Sequence, residues 1–229
     1  MTTSERPPRS VARTRMSKSD RTRAHILSVA CEVFNERGTA AVSTNLIAAE
    51  AGISPGNLYY HFANKPDIIR ALLAQLVESH ENRWELELDP GASLRKLAEN
   101  LEVGMSLAWQ YRFLERELLA LLRADPALRR VYTLAYERRL KEWLAFGERL
   151  ADQGLMREPS PPRTLGDLGI ALWLIAGNWL AFLDVTGDPQ DPEQVARVGD
   201  LILVALHPYL TARGRRELED LQAPRAGRP

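Results

Sequence analysis

The run from Thr44 to Lys65 constrains this chain more than any other, and Gly52 divides it. Before the glycine, Leu46, Ile47 and Ala51 share one helical face. After it, Leu58 and Phe62 stand four residues apart and share another. Glycine accepts the left-handed backbone that a tight helix exit needs. Ser54 then stands as an N-cap, with Pro55 at the first helical position. Two short helices joined by a turn of about three or four residues make a helix-turn-helix, whose second helix can enter a DNA major groove. The outward residues of that second helix are Asn57, Tyr59, Tyr60 and His61. They combine hydrogen-bonding groups with rings, which suits contact with bases and phosphates.

Leu58-Tyr59-Tyr60-His61-Phe62, followed by Asn64-Lys65, resembles the recognition-helix signature of the TetR family of bacterial transcriptional regulators. The resemblance is carried by the segment 20–70 and, more loosely, by length and helical patterning beyond it. It implies an all-α chain: an N-terminal three-helix DNA-binding domain, then a larger helical bundle for ligand binding and dimerisation. It also implies roles. Thr44, at the start of the second helix, meets a phosphate, and Asn45 faces the groove. Asn57 reads a base; Tyr59, Tyr60 and His61 meet phosphates and thymine methyl groups; Lys65 meets a phosphate. Ser54 belongs to the same face, and Gly56, lacking a Cβ, permits close approach. Apart from the resemblance, the charge of Arg21 ahead of the helix-turn-helix makes it a candidate for a further phosphate contact, with Lys18 and Arg23 after it. Leu58 and Phe62 are core. Packing is the competing role for either tyrosine.

The formal net charge is zero, so overall charge gives no signal for nucleic acid. The distribution does. Arg6, Arg9, Arg13, Arg15, Lys18, Arg21 and Arg23 face only Glu5 and Asp20 ahead of the helix-turn-helix. Residues before Ser17 read equally well as a solvated, unstructured tail. A single cysteine, Cys31, excludes an intramolecular disulfide framework, and its neighbours Ala30 and Phe34 mark it as a core thiol. The basic N-terminus has no apolar core and is not a secretory signal. The most apolar run, Leu168 to Leu183, is bracketed by Asp167 and Asp184. It falls short of the ~20 residues of a spanning helix, so it reads as a buried bundle helix of a soluble, cytoplasmic protein without membrane contact.

In order, the chain divides into a basic disordered tail (1–18), the helix-turn-helix domain (19–65), a ligand-binding and dimerisation domain (66–222) and a disordered end (223–229). Ser19 or Asp20 caps a first helix that Gly38 ends, and Ser43 or Thr44 caps the second. Pro66 opens a connector helix that runs past Trp84 and links the two domains. Ser93 caps a helix through Tyr111, which either stops there or bends into the next. Asp125-Pro126 opens a long helix closed by Gly154; Thr164 caps the apolar one. A last long helix from Pro192 to Leu210 is kinked or ended by Pro208, and a short helix to Leu221 follows. No period-2 alternation predicts a sheet. The count is about nine helices.

The nearly all-apolar helix at 165–185 needs cover on every side. A second copy of the chain would supply it, with the helix at 192–210, as a four-helix dimer interface, which is how TetR-like proteins pair. The remaining helices should enclose a small-molecule pocket. Its candidates are Met105, Trp109, Phe113, Tyr132, Tyr136, Trp143, Asn178 and Trp179, with Arg112 and Arg116 for an anionic group. Core packing is the alternative for each. A narrower resemblance, through Ile53 to Phe62, Tyr111-Arg112-Phe113-Leu114 and the run Leu203 to Leu210, is to TetR-family regulators of polyhydroxyalkanoate gene clusters. It implies a fatty acid or acyl-CoA effector. No catalytic triad order, metal ligand set, P-loop or dinucleotide fingerprint is present, so no enzyme and no cofactor is expected. The expected protein is a ligand-responsive repressor, homodimeric on a palindromic operator. An activator, a ligand-independent regulator, or an interaction module with a degenerate DNA-binding head are the alternatives.

Overall fold

A computed structural model describes residues 17–80 and 90–222. Among them the chain forms α1 (Lys18–Ala41), α2 (Thr44–Glu50), α3 (Pro55–His61), α4 (Lys65–Ser79), α5 (Pro90–Gln110), α6 (Arg112–Ala124), α7 (Pro126–Asp152), α8 (Leu165–Thr186), α9 (Pro192–Leu206) and α10 (Ala212–Gln222), with a 3₁₀ turn at His207–Tyr209. No strand occurs among these residues; Met156 and Leu210 form one isolated bridge. The tails (1–16 and 223–229), the phosphate contacts expected of the tail and the stretch carrying Trp84 lie outside the described residues.

The caps explain most boundaries. Ser43, Ser54, Asn64, Asp125 and Thr164 each accept a hydrogen bond from a backbone N–H in the first turn of α2, α3, α4, α7 and α8. Three expected boundaries are corrected. Ser17, not Ser19 or Asp20, caps α1: its Oγ accepts the Asp20 N–H (3.0 Å), and the Asp20 carboxylate accepts the Ser17 N–H (3.2 Å), a reciprocal capping box. Helix α5 starts at Pro90, so Ser93 lies buried in its first turn and is not its cap. Helix α4 ends at Ser79, where the His80 N–H turns to the Val77 carbonyl three residues back.

Gly38 has φ 73° and ψ 156°, a conformation open essentially to glycine alone, and it breaks α1 before a last short turn to Ala41. Tyr111 (φ −110°, ψ 33°) separates α5 from α6. Pro208 ends α9 as a 3₁₀ turn.

Two apolar cores result. One joins α1–α4 to Leu107, Tyr111, Phe113, Leu114 and Leu128 of α5–α7. Phe34 of α1 meets Phe113 of α6 at 5.2 Å between ring centroids. The N-terminal domain is therefore packed onto the bundle rather than hung from it. The second core gathers Leu97, Phe146, Leu150, Leu168, Leu172, Val198, Ile202 and Leu206. Helix α8 is long and apolar enough to cross a membrane by length and composition. In this fold only its Leu168, Leu172, Leu180 and Leu183 are buried, so the expected fully buried bundle helix is covered along one side alone.

Candidate DNA-reading face and effector cavity

Helix α3 divides by side. Leu58 and Phe62 are buried, whereas Tyr59 is 49% and Tyr60 79% exposed. Asn45, Ser54, Gly56 and Asn57 are exposed too, and Thr44 and His61 half-buried. The Tyr59 and Thr44 hydroxyls lie 2.9 Å apart, which fixes α3 to the start of α2 through their outer faces. The Tyr60 and His61 rings meet edge to face at 5.1 Å. Packing is thus not the main role of Tyr60, and Tyr59 is half positioned, half open. Ser54 Oγ is occupied as an acceptor from the Asn57 N–H (3.2 Å). A Cβ at Gly56 would meet only Ser54 Oγ, at 4.0 Å, so the space outside α3 there is open.

The cations are less free than the sequence suggests. Lys65 Nζ donates to the carbonyls of Thr39 (2.6 Å) and Val42 (2.9 Å), closing the end of α1. One ammonium proton is left for a phosphate. Arg23 stacks on the Phe62 ring at 4.3 Å. Arg21 and Lys18 are exposed in the first turn of α1.

This face is tied to the bundle at α6. Asn35 of α1, buried, accepts the Phe113 N–H (3.0 Å) and donates to the Gln110 carbonyl (2.8 Å). Cys31 Sγ donates to the same carbonyl at 3.2 Å, and burial pushes its thiol pKa up to about 11. Glu117 of α6 accepts from the Thr39 N–H (2.9 Å) and from its hydroxyl. A Cβ at Gly38 would lie 3.0 Å from Glu117 Oε1, so this link also needs the glycine. On α4, Arg70 bridges Asp67 and Asp125, the cap of α7.

Behind α6 lies a cavity of about 210 Å³, enclosed by α4–α9. Of the sequence candidates, Met105, Tyr132, Tyr136 and Trp143 line it. The other six do not. Phe113 is sealed in the core against Phe34. Arg112 stacks on Trp109 at 4.5 Å, away from the cavity. Arg116 Nε lies 2.9 Å from Asp184 Oδ2, although its N–H does not point at that oxygen. Asn178 is exposed and satisfied by the Leu174 carbonyl one turn back (2.9 Å). Trp179 donates to the Gln194 carbonyl (2.9 Å) and stacks on Phe182. Which side of each helix meets the cavity depends on rotation within the bundle, which periodicity does not report.

Sequence reasoning missed the polar residues of the wall: Glu115, Arg139, His80 and Asn100, and also Trp173. Glu115 is deeply placed, and burial pushes its carboxyl up to about 7. Its signal was available: it follows Leu114 and precedes Leu118, inside the apolar stripe of α6.

Fold and site together define a helix-turn-helix transcriptional regulator with an internal small-molecule cavity. Two family models match, that of bacterial regulatory proteins of the tetR family over residues 26–72 and that of a bacterial transcriptional repressor, TetR, over 72–218. A TetR-family transcriptional regulator from Marinobacter aquaeolei VT8, known from its crystal structure, superposes with a TM-score of 0.77 at 32% identity, covering 90% of this chain and 98% of that one. The probable HTH-type regulator ArpR of Pseudomonas putida is 39% identical over 85 residues, 35% of this chain and 40% of its own length. The HTH-type regulator AcrR of Shigella flexneri is 36% identical over 94 residues, 40% of this chain and 43% of its own length. The chain thus matches about two fifths of these curated relatives. It belongs to the TetR family of bacterial transcriptional regulators.

Proposed function

We propose that this protein is a homodimeric, cytoplasmic repressor that reads a palindromic operator and is governed by a small molecule bound behind α6. One observation carries the reading: α6 lines the cavity with Leu114, Glu115 and Leu118 and is hydrogen-bonded to α1 through Asn35 and Thr39. A ligand that shifts α6 shifts the DNA-reading head with it. Binding of DNA and of ligand then compete through the populations of two geometries.

Thr44, Asn45, Asn57, Tyr59, Tyr60 and His61 are the residues proposed to meet the operator, with Ser54, Gly56, Lys65 and Arg21 at the margins. Their exposure supports this assignment. The dimer is supported by an uncovered stripe on α8. Ile170, Leu174, Phe182 and Val185 are exposed, the last to 85%, at helical spacing, and Val204 of α9 is 68% exposed. Stripes of this kind mark protein contacts, and a twofold axis would pair them into a four-helix interface.

The fatty acid or acyl-CoA effector keeps partial support. Leu76, Leu101, Leu118, Leu140 and Ile202 suit an acyl chain. An anionic end finds less, since Arg112 and Arg116 lie off the cavity and Arg139 stands 3.6 Å from Glu142 of its own helix. A gel shift on the DNA upstream of the protein's own operon tests the main reading. Saturable, sequence-specific binding at moderate salt supports it. Binding that unrelated competitor DNA removes entirely rejects it.

A further inference from the structure

The polar groups of the cavity wall are unevenly matched. Arg139 has Glu142 at 3.6 Å on its own helix. Arg116, next to Glu115 in sequence, is held toward Asp184. Among the described residues Glu115 has no hydrogen-bond or ion-pair partner. It lies in the cavity wall against α8, where a Cβ at Gly177 would lie 3.9 Å from its Oε2. A ring cluster stands on the same wall. Trp173 meets Tyr136 edge-on at 5.0 Å and Tyr132 at 6.4 Å, and its Nε1 donates to the Tyr132 hydroxyl (3.3 Å). The rings are therefore fixed before any ligand arrives.

We propose that the cavity takes a lipophilic cation, an alkylammonium or aromatic cation whose charged end meets Glu115 and the ring cluster while its apolar part lies along the leucines. This deepens the effector reading above and rests on it. A buried carboxylate without a counterion repels an anionic ligand and attracts a cation, and the low polarity around it strengthens both effects. Aromatic rings add attraction for a desolvated cation that they do not offer to a neutral molecule of the same shape. Burial alone holds the carboxyl near 7. An arriving cation favours the charged form that burial disfavours, so binding fixes the ionised form.

The test uses three ligands of one chain length: octyltrimethylammonium, octanoate and octanol. Calorimetry on the full-length protein at pH 8 gives the affinities, and the fluorescence of Trp143 and Trp173 gives a second readout. The ammonium ion is expected to bind at least about tenfold more tightly than octanoate. Glu115→Gln should weaken the ammonium ion by about tenfold or more and leave octanol within about twofold. Tyr136→Leu keeps an apolar wall and should weaken the ammonium ion more than octanol, which covers the case in which the glutamine variant misfolds. Octanoate binding as tightly as the ammonium ion, or an ammonium affinity indifferent to Glu115→Gln, overturns the cation assignment and leaves the effector cavity standing. Binding of none of the three overturns both.

Discussion

Replacing Glu115 with glutamine should make the protein more stable, and only above a certain pH. The carboxyl ordinarily titrates at 4.5 and in the fold is pushed to about 7 by burial. Below 4.5 it is neutral in both the folded and the unfolded chain, and burial costs nothing through ionisation. Between 4.5 and 7 the unfolded chain releases its proton while the folded one holds it, so stability falls as pH rises. Above 7 the folded protein carries a buried charge, and the full cost is present. A pH unit of difference corresponds to about 1.4 kcal/mol, which makes that cost about 3 kcal/mol. Glutamine has the same shape and no charge. Its advantage should therefore grow from about 1 kcal/mol or less at pH 5 to about 3 kcal/mol at pH 8. Urea unfolding followed by circular dichroism, at equal protein concentration because a dimer's stability depends on it, measures both. An advantage that does not change with pH refutes the burial argument. So does a wild type more stable than the variant at pH 8.

Other substitutions probe the remaining parts of the account. Gly38→Ala forces a side chain into a glycine-only conformation and against Glu117, and should cost about 1–3 kcal/mol in the same unfolding assay. Asn35→Ala strands the Phe113 N–H and the Gln110 carbonyl in the core; a loss of about 2–3 kcal/mol is expected in thermal unfolding. Tyr60→Ala should leave stability within about 0.5 kcal/mol, because the ring is exposed. It should still weaken operator binding by about tenfold in a polarisation assay. Val185→Glu places a charge on the uncovered stripe of α8 and should shift sedimentation toward the monomer; an unchanged dimer would move the interface elsewhere.

The helix-turn-helix was legible because its signals are local. Ser43, Ser54, Asp125 and Thr164 cap through side-chain oxygens that reach only a turn away, so neighbours in sequence decide them. The correction at Ser17 shows the limit of that kind of signal. Ser17 and Asp20 have capping-box spacing, but Ser19 and Asp20 also satisfy the rule for a simple cap, and only the backbone chooses. Leu58 and Phe62 read as inward for the same local reason, and they are buried. The cavity depends on six helices from distant parts of the chain. Tyr132 and Tyr136 were reachable because a tyrosine stripe is visible at helical spacing. Trp179 and Asn178 looked equivalent to them in sequence, yet the rotation of α8 turns one toward Gln194 and the other outward. Glu115 is masked in the sequence by the charged residues around it, while its neighbours on the helix face are leucines.

The central claim is that the exposed face of α2 and α3 reads one particular DNA sequence as part of a symmetric dimer. In vitro selection from random duplexes with the full-length protein tests it most directly. An enriched inverted repeat is expected, with half-sites a helical turn or so apart and weakened binding by the Tyr60→Ala variant. A selected pool without a shared motif, or a single half-site bound as tightly as the repeat, contradicts it.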